Sequence, residues 1–245
     1  MKILVCISNV PDTTTKITFS DDNSKFNENG VQFIINPNDE IALASAIEIA
    51  EAQNGEVTVI HVGEATSEPT IRKALAIGAA KAVRVNAKPR DAYFVASQIA
   101  AYVKSNPFDL ILTGSESIDY NGSLIAGMVG ELLDIPSVSI IKSLKIENQK
   151  AIVEREIEGG KETLEINLPL IVGTAEGVSE PKLPNMRGIM SARTKPLEVV
   201  DAIEVEQKSQ IIRYDTPAPR SAVKLFGESE IEQLVALLRS EAKVI

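Results

Sequence analysis

The segment 113–123 carries the densest set of polar groups that could bind a ligand. It has the sequence Thr-Gly-Ser-Glu-Ser-Ile-Asp-Tyr-Asn-Gly-Ser, and it lies between a short apolar run and a predicted helix over 121–133. Backbone N–H groups, hydroxyls and the positive end of a helix dipole bind phosphate groups well. The segment therefore indicates a phosphate site, with an ordinary polar loop as the open alternative.

Three other segments are expected to meet this loop. In an open parallel sheet, ligands bind in the crevice at the carboxyl ends of the strands. The segments that follow or end predicted strands there are 6–9 (Cys-Ile-Ser-Asn), 36–39 (Asn-Pro-Asn-Asp) and 61–63 (His-Val-Gly). An adenine ring could lie between the backbone near Cys6 and Val62 without a charged partner. The four segments together predict a nucleotide site at one end of the sheet.

Two common nucleotide motifs are absent from the sequence. No Gly-Lys-Ser or Gly-Lys-Thr of a P-loop occurs, and no G-x-G-x-x-G follows a strand. We expect Gly122, Gly127 and Gly130 to lie inside the predicted helix and to permit close packing. The chain is therefore not an ordinary kinase, ATPase or NAD dehydrogenase.

Catalytic groups are sparse. Ser115 or Ser117 with His61 and Asp119 could form a triad, but the Gly-x-Ser-x-Gly elbow is missing. Glu116 with Asp119 could act as an acid and base, although solvated loop carboxylates are commoner. One Cys and one His exclude a disulfide framework and a multi-ligand Cys/His metal site. We predict no catalytic residue and no metal site.

A second segment suggests a docking surface. Residues 182–195 carry four positive charges and no acid, in a chain with a net charge of -9. The same segment contains Leu183, Met186, Ile189 and Met190. Apolar side chains ringed by cations suit acidic partners, and methionine adapts to several surfaces. The alternative is an irregular loop whose apolar residues fill the core.

The surrounding pattern predicts an α/β fold with a mostly parallel sheet flanked by helices. Apolar strand-like runs alternate with helical patterns as far as about residue 141. Asn36 and Pro37 are typical of a helix N-terminus. Residues 151–156 and 163–168 then flank a Gly-Gly turn and predict an antiparallel hairpin. This α/β domain is expected to cover residues 1–200 and to include the segment 182–195.

Residues 201–245 are predicted to form a C-terminal arm. Pro217 and Pro219 favour an extended stretch, and a helix is expected over 229–242 with Ser229 and Glu232 as a capping box. The helix has one apolar face, formed by Ile231, Leu234, Val235 and Leu238. That face must dock either on the chain's own domain or on a partner chain.

Composition narrows the classes of partner. With 245 residues, a net charge of -9 and no Trp, the chain is unlike a nucleic-acid-binding protein. No run reaches the roughly 18 apolar residues that a membrane span needs, and the N-terminus has no secretory signal. We therefore expect a cytoplasmic protein with no nucleic-acid partner and no membrane span.

These features together resemble the beta (small) subunit of the electron transfer flavoprotein family. The similarity covers nearly the whole chain. The motifs that carry it are 2–5 with 10–13, 36–40, 70–79, Ser-Ile-Asp at 117–119, the run 153–164 with Leu-Pro at 168–169, and 188–196. The resemblance implies the adenine-nucleotide-binding type of α/β fold.

The resemblance also implies a function. Members pair with a larger alpha subunit that holds most of the FAD, and beta binds AMP. The heterodimer accepts electrons from flavin dehydrogenases, such as the acyl-CoA dehydrogenases of fatty acid beta-oxidation. It passes them to a quinone-linked acceptor oxidoreductase. The chain would therefore be an electron-carrier subunit that breaks no bonds itself.

Site residues follow from the matching motifs. The implied nucleotide-binding residues are Cys6, Asn36, Pro37, Asn38, Asp39, Val62, Gly114, Ser115, Ser117, Asp119, Asn121, Gly122, Ser123, Leu124 and Ile125. The family often has Gln-Thr-Gly or Gln-Val-Gly after the aspartate, whereas this chain has Ser-Leu-Ile-Ala at 123–126. Backbone N–H groups would therefore contact the phosphate. Thr13 is implied to lie near the flavin.

The resemblance assigns the segment 182–195 to partner recognition. The implied contact residues are Leu183, Met186, Arg187, Ile189, Met190, Arg193 and Lys195. Met186 occupies the position of the family's anchor leucine, and Leu183 is the other candidate.

Two alternatives stay open. In an electron-bifurcating relative, a second FAD replaces AMP in beta. A stress-type adenine-nucleotide-binding module would have a similar sheet and pocket without the hairpin or the basic segment.

Overall fold

The computed structural model of the chain describes residues 1–219 and 222–245. The strands are β1 (Lys2–Cys6), β2 (Asn9–Pro11), β3 (Phe33–Ile35), β4 (Glu56–Val62), β5 (Lys81–Asn86), β6 (Leu110–Gly114), β7 (Ser137–Glu147), β8 (Lys150–Ile157), β9 (Gly160–Asn167), β10 (Leu170–Thr174) and β11 (Leu197–Asp201). The α-helices are α1 (Pro37–Gln53), α2 (Glu68–Ile77), α3 (Ala92–Ser105), α4 (Ile125–Leu133), α5 (Met186–Ala192) and α6 (Ile231–Leu237).

A nine-stranded sheet forms the centre of the molecule. Its strand order is β11-β5-β4-β1-β6-β10-β7-β8-β9. The strands from β11 to β7 pair in parallel, and the β7–β8 and β8–β9 pairs are antiparallel. The predicted α/β class, the mostly parallel sheet and the hairpin around the Gly-Gly turn are therefore confirmed.

The central strand β1 divides two aliphatic cores. Ile3 and Val5 point to the face that α1 and α2 cover, and Leu4 and Cys6 point to the face that α3 and α4 cover. Side chains alternate across a strand in this way, so a strand buried on both faces must be apolar throughout. This explains the uninterrupted apolar run at the N-terminus.

Two predicted helix starts were wrong. The helix expected over 121–133 begins at Ile125, because Asn121 and Ser123 have left-handed backbone with φ of 49° and 51°. Gly122 therefore lies in the loop. In the arm, the capping box is not formed by Ser229 and Glu232. The Gly227 N–H instead donates to Glu230 Oε2 at 2.7 Å, and a 3-10 turn precedes α6.

The segment 182–195 is also more regular than its composition suggested. It contains α5, which begins after Asn185, whose side-chain Oδ1 accepts from the Gly188 N–H at 2.8 Å. A single well-placed cap and contacts with α2 therefore produce a short helix in a stretch that has no clear apolar period.

Asp39 connects three elements at the carboxyl end of the sheet. It lies in the first turn of α1 and is buried. Its Oδ2 accepts from the Ser8 N–H at 2.7 Å, just after β1, and its Oδ1 accepts from the Gly114 N–H at 2.9 Å, at the end of β6. A Cβ on Gly114 would lie 2.5 Å from Asp39 Oδ1, so only glycine permits this approach.

Burial raises the pKa of Asp39 to about 7, although its hydrogen bonds from Ser8 and Gly114 act in the opposite direction. In the unfolded chain the carboxyl ionises near its ordinary pKa of 3.8. Between pH 4 and 7 the native state therefore binds more protons than the unfolded state, and the contribution of Asp39 to the free energy of unfolding falls as pH rises.

We predict that Asp39→Asn removes this pH dependence, which has a slope of up to ~1.4 kcal/mol per pH unit. The variant also loses about 1–3 kcal/mol at pH 4, because the amide nitrogen, unlike the hydroxyl oxygen of the protonated carboxyl, cannot accept a hydrogen bond from a backbone N–H. Urea unfolding from pH 4 to 7.5 measures both effects, with Asp201→Asn, at an exposed position, as the control. Equal pH slopes for the wild type and Asp39→Asn would contradict the prediction.

Candidate functional site

The predicted segments 6–9 and 36–39 meet residues 114–118 of the predicted loop 113–123 at the carboxyl end of the sheet. Besides the two hydrogen bonds to Asp39, the side-chain Nδ2 atoms of Asn36 and Asn38 both donate to the Glu116 carbonyl oxygen, at 2.8 and 2.9 Å. Asn36 Oδ1 accepts from the Ile118 N–H at 3.2 Å. Asn36 is the N-cap residue of α1, but its side chain makes no cap hydrogen bond and binds the loop after β6 instead.

The fourth segment joins through His61. Its Nδ1 lies 2.9 Å from the Ile7 carbonyl oxygen, and the ring is buried. Burial, followed by the charge of Arg84, lowers the pKa of His61, so the ring is neutral and Nδ1 carries the proton. Val62 is buried beside it. All four predicted segments therefore lie around one end of the sheet.

The hydrolase alternative finds no support in this geometry. In residues 1–219 and 222–245, no hydrogen bond links His61 to Ser115, Ser117 or Asp119. His61 binds the main chain of the segment after β1, and Asp119 Oδ1 accepts from the Tyr120 N–H at 2.9 Å.

The predicted nucleotide residues divide into a floor and a rim. Cys6, Asn36, Asp39, Val62 and Gly114 are buried and form the floor. Burial raises the pKa of the Cys6 thiol well above its ordinary value, with the charge of Asp39 as the second cause, so the thiol is inert. The rim is partly or fully exposed and comprises Pro37, Asn38, Ser115, Ser117, Asp119, Asn121, Gly122, Ser123, Leu124 and Ile125.

Sequence reasoning missed Glu116 as the organiser of this rim. Its carbonyl oxygen receives both asparagine side chains, and its carboxylate accepts from Asn121 Nδ2 at 3.2 Å and from Ser123 Oγ at 3.3 Å. These contacts hold the two left-handed residues of the loop. No local motif points to this role, because it depends on residues about 80 positions earlier in the chain.

The residues of the floor and rim suit an adenylate whose phosphate is bound without a cationic side chain. The floor is neutral apart from Asp39, and small residues leave main-chain groups accessible at the rim. The loop 113–125 contains no Lys or Arg and has two carboxylates, on Glu116 and Asp119. A phosphate would therefore be bound by hydroxyls and by free N–H groups in the first turn of α4, where the helix dipole favours an anion.

The C-terminal arm contacts the loop after β6 at Tyr120. Tyr214 stacks on Phe19 with ring centroids 4.9 Å apart, and its hydroxyl lies 3.2 Å from the Tyr120 hydroxyl. Its N–H donates to the Asn23 carbonyl oxygen at 2.9 Å.

Thr13, the residue expected near the flavin, is exposed in the turn after β2.

A second surface lies on α5. Leu183, Met186 and Met190 are 89, 74 and 69% exposed, and Ile189 is also exposed. Arg187 and Arg193 are exposed around them, whereas the Lys195 ammonium turns inward to the carbonyl oxygens of Leu75 and Ala79. The apolar group therefore has two exposed arginines beside it, whereas Lys195 contacts the C-terminal end of α2.

Two classes of feature are absent from the described part of the chain. None of its helices is long and apolar enough to cross a membrane. It also contains no cluster of three or more His, Cys, Asp or Glu side chains arranged to hold a metal ion.

Comparisons with known proteins place this geometry in a family. A family model described as the electron transfer flavoprotein domain matches residues 24–205. The relative from Bacillus subtilis (strain 168), named electron transfer flavoprotein subunit beta, is 37% identical over 259 residues and is covered in full, as is this chain.

Two further relatives bear the same name. The one from Syntrophomonas wolfei is 32% identical over 249 residues, covering 100% of this chain and 98% of the relative. The one from Homo sapiens is 31% identical over 255 residues, covering 100% of this chain and 99% of the relative. The chain belongs to the family of electron transfer flavoprotein beta subunits, which are electron carriers.

Proposed function

We propose that this chain pairs with an electron transfer flavoprotein alpha subunit and serves as its docking and nucleotide-binding half. The observation that carries the proposal is the set of outward apolar side chains on and before α5, Leu183, Met186 and Met190, with two exposed arginines beside them. Exposed apolar residues of this size are typical of interaction sites. The full-length match to beta subunits decides against the stress-type module.

The partners at this surface are flavin dehydrogenases, such as acyl-CoA dehydrogenases. Flexible methionines and a leucine can fill apolar pockets of different shapes, which suits one carrier that serves several donors. Arg187 and Arg193 attract acidic surfaces around the pocket and speed the encounter. Ile189 lies between the two methionines in the sequence and is exposed to a smaller fraction.

The rim at the carboxyl end of the sheet binds AMP. The adenosine lies over the floor formed by Cys6, Val62 and Gly114. Asn38, Ser115, Ser117 and Ser123 supply polar contacts, and Asp119 accepts a ribose hydroxyl. The first turn of α4, at Ile125, supplies N–H groups to the phosphate. AMP stabilises the loop and takes no part in electron transfer.

FAD is held mainly by the alpha subunit, and the segment around Thr13 helps to bury it. When bound, FAD would supply the redox chemistry between a flavin dehydrogenase and a quinone-linked acceptor oxidoreductase. The residues of this chain orient the donor through α5 and exclude water from the flavin face. They transfer no proton and break no bond.

The arm attaches this chain to alpha. Residues up to Tyr214 lie on the chain's own domain, through hydrogen bonds of the Ile203 backbone with Gln98 and of the Lys208 and Ser209 N–H groups with Asp91. Ile231 and Leu234 on α6 are 63 and 36% exposed, so part of the apolar face of the helix is not covered by its own domain. We assign that face to alpha.

The first prediction concerns the nucleotide. Heterodimer purified after co-expression is expected to contain a single FAD and a single AMP, measured by flavin absorbance and by chromatography of the released nucleotides. Asp119→Ala should weaken AMP binding ~10-fold, because a charge-assisted hydrogen bond is lost, and FAD content should not change. Asp201→Ala is the matched control. A second FAD in place of AMP would instead identify the bifurcating type.

The second prediction concerns docking. Leu183→Ala and Met186→Ala should each lower kcat/KM for a dehydrogenase donor ~10-fold, because each removes an apolar anchor. FAD content should stay unchanged. Ile157→Ala truncates an exposed apolar side chain of β8, on the antiparallel side of the sheet, and should have no effect. Wild-type kinetics in both variants of the segment would contradict the docking role.

The third prediction concerns the arm. Deleting the residues after Asp215 keeps the contacts of Tyr214 and removes α6, and it should weaken the complex with alpha ~10-fold or more. Leu234→Asp should have the same direction of effect, because it places a charge on the apolar face. Gln233→Asp adds the same charge at an exposed neighbour as the control. If both altered chains bind alpha with wild-type affinity in a titration, the arm is not the attachment.

A further inference from the structure

The exposed methionines of α5 depend on how the helix lies against α2. Gly188 and Ala192 are four residues apart and face α2, whereas Met186 and Met190 are four residues apart and face solvent. A Cβ on Gly188 would lie 2.2 Å from the Ala76 carbonyl oxygen, so the two helices are in very close contact there. The inward small residues thus turn the large apolar side chains outward.

Arg72 of α2 reaches the end of α5. Its Nη1 donates to the carbonyl oxygens of Ala192 and Lys195, at 2.9 and 2.8 Å. Its Nε and Nη2 bind Glu68 Oε1 at 3.2 and 3.1 Å, which fixes the plane of the guanidinium. The last carbonyl groups of a helix have no intrahelical partner, and a cation there satisfies them and complements the helix dipole.

Lys195 makes the reverse connection. Its Nζ donates to the carbonyl oxygens of Leu75 and Ala79, at 2.8 and 2.7 Å, at the end of α2. Burial lowers the pKa of Lys195, as expected for an ammonium group withdrawn from solvent. Each helix is therefore capped at its C-terminus by a cation that belongs to the other helix or to the residues just after it.

A helix of seven residues has little stability of its own. The pose of α5 must therefore come from its tertiary contacts, and the strongest polar contacts are these four hydrogen bonds from charged donors. Asn185 sets where the helix begins, but it does not fix the angle of the helix to the domain.

We propose that Arg72 and Lys195 form a pair of crossed caps that positions α5, and that this pair determines how well Leu183, Met186 and Met190 engage a dehydrogenase. The inference rests on the docking function proposed above. Both cations are positioning residues, since they act through α5 and not by touching the donor. Lys195 thus has a different task from Arg187 and Arg193.

The test uses the complete heterodimer carrying Lys195→Met or Arg72→Met. Lys161→Met, in β9 at the opposite edge of the sheet, removes the same charge as Lys195→Met and is the matched control. Hydrogen exchange reports on α5 directly. We expect the amides of 186–192 to exchange at least ~10-fold faster in both cap variants, and the amides of β1 to be unchanged.

The same proteins are assayed with a dehydrogenase donor. KM for the donor should rise at least ~3-fold in both cap variants, with kcat and FAD content unchanged, because only the pose of the docking helix is lost. Arg72→Met tests the arrangement independently if Lys195→Met fails to fold.

Two results would overturn the proposal. Unchanged exchange of α5 in both variants would show that the caps do not position it, and a raised KM in that case would mean that Lys195 contacts the donor itself. Faster exchange of α5 with an unchanged KM would show that the position of α5 does not determine how well the donor is recognised. Leu183→Ala separates the proposed docking function from the proposed role of the caps. If it slows transfer while the cap variants do not, the role of the caps is refuted and the docking function stands.

Discussion

The buried carboxylate of Asp39 is the interaction on which the geometry of the site depends. It binds the backbone after β1 and the end of β6 from the first turn of α1, so three elements are held at fixed spacing where the sheet ends. Burial of a carboxylate is unfavourable unless hydrogen bonds compensate. Here two backbone donors offset part of that cost, and Gly114 provides the space. The asparagines at 36 and 38 then extend the same connection to the rim through the Glu116 carbonyl oxygen.

The two proposed functional surfaces are built on different principles. The nucleotide rim consists of main-chain groups and small polar side chains held by hydrogen bonds between distant segments. The docking surface consists of large apolar side chains on a very short helix, held by its neighbour. The first arrangement favours one ligand of defined shape, whereas the second tolerates partners of varied shape.

Much of the fold could be predicted because it follows from local pattern. The alternation of apolar strands and helices, Asn36 with Pro37 at a helix start, and the Gly-Gly turn are all present in short stretches of sequence. The predicted start of α4 was wrong because the backbone conformation of its loop does not follow from such a pattern. Ser123 adopts left-handed backbone in a loop whose side chains bind Glu116, and nothing in its neighbours along the chain predicts this. The helix α5 depends on Arg72, more than a hundred residues earlier.

The contact between Tyr214 and Tyr120 has a thermodynamic consequence. Tyr214 of the tail contacts Tyr120 of the loop 113–125 through one pair of hydroxyls, and the same tyrosine stacks on Phe19. If binding to a neighbouring chain restricts the tail to one conformation, the loop that contacts the tail loses conformational freedom at the same time. By linkage, a ligand that stiffens the loop then favours assembly by the same free energy with which assembly favours the ligand.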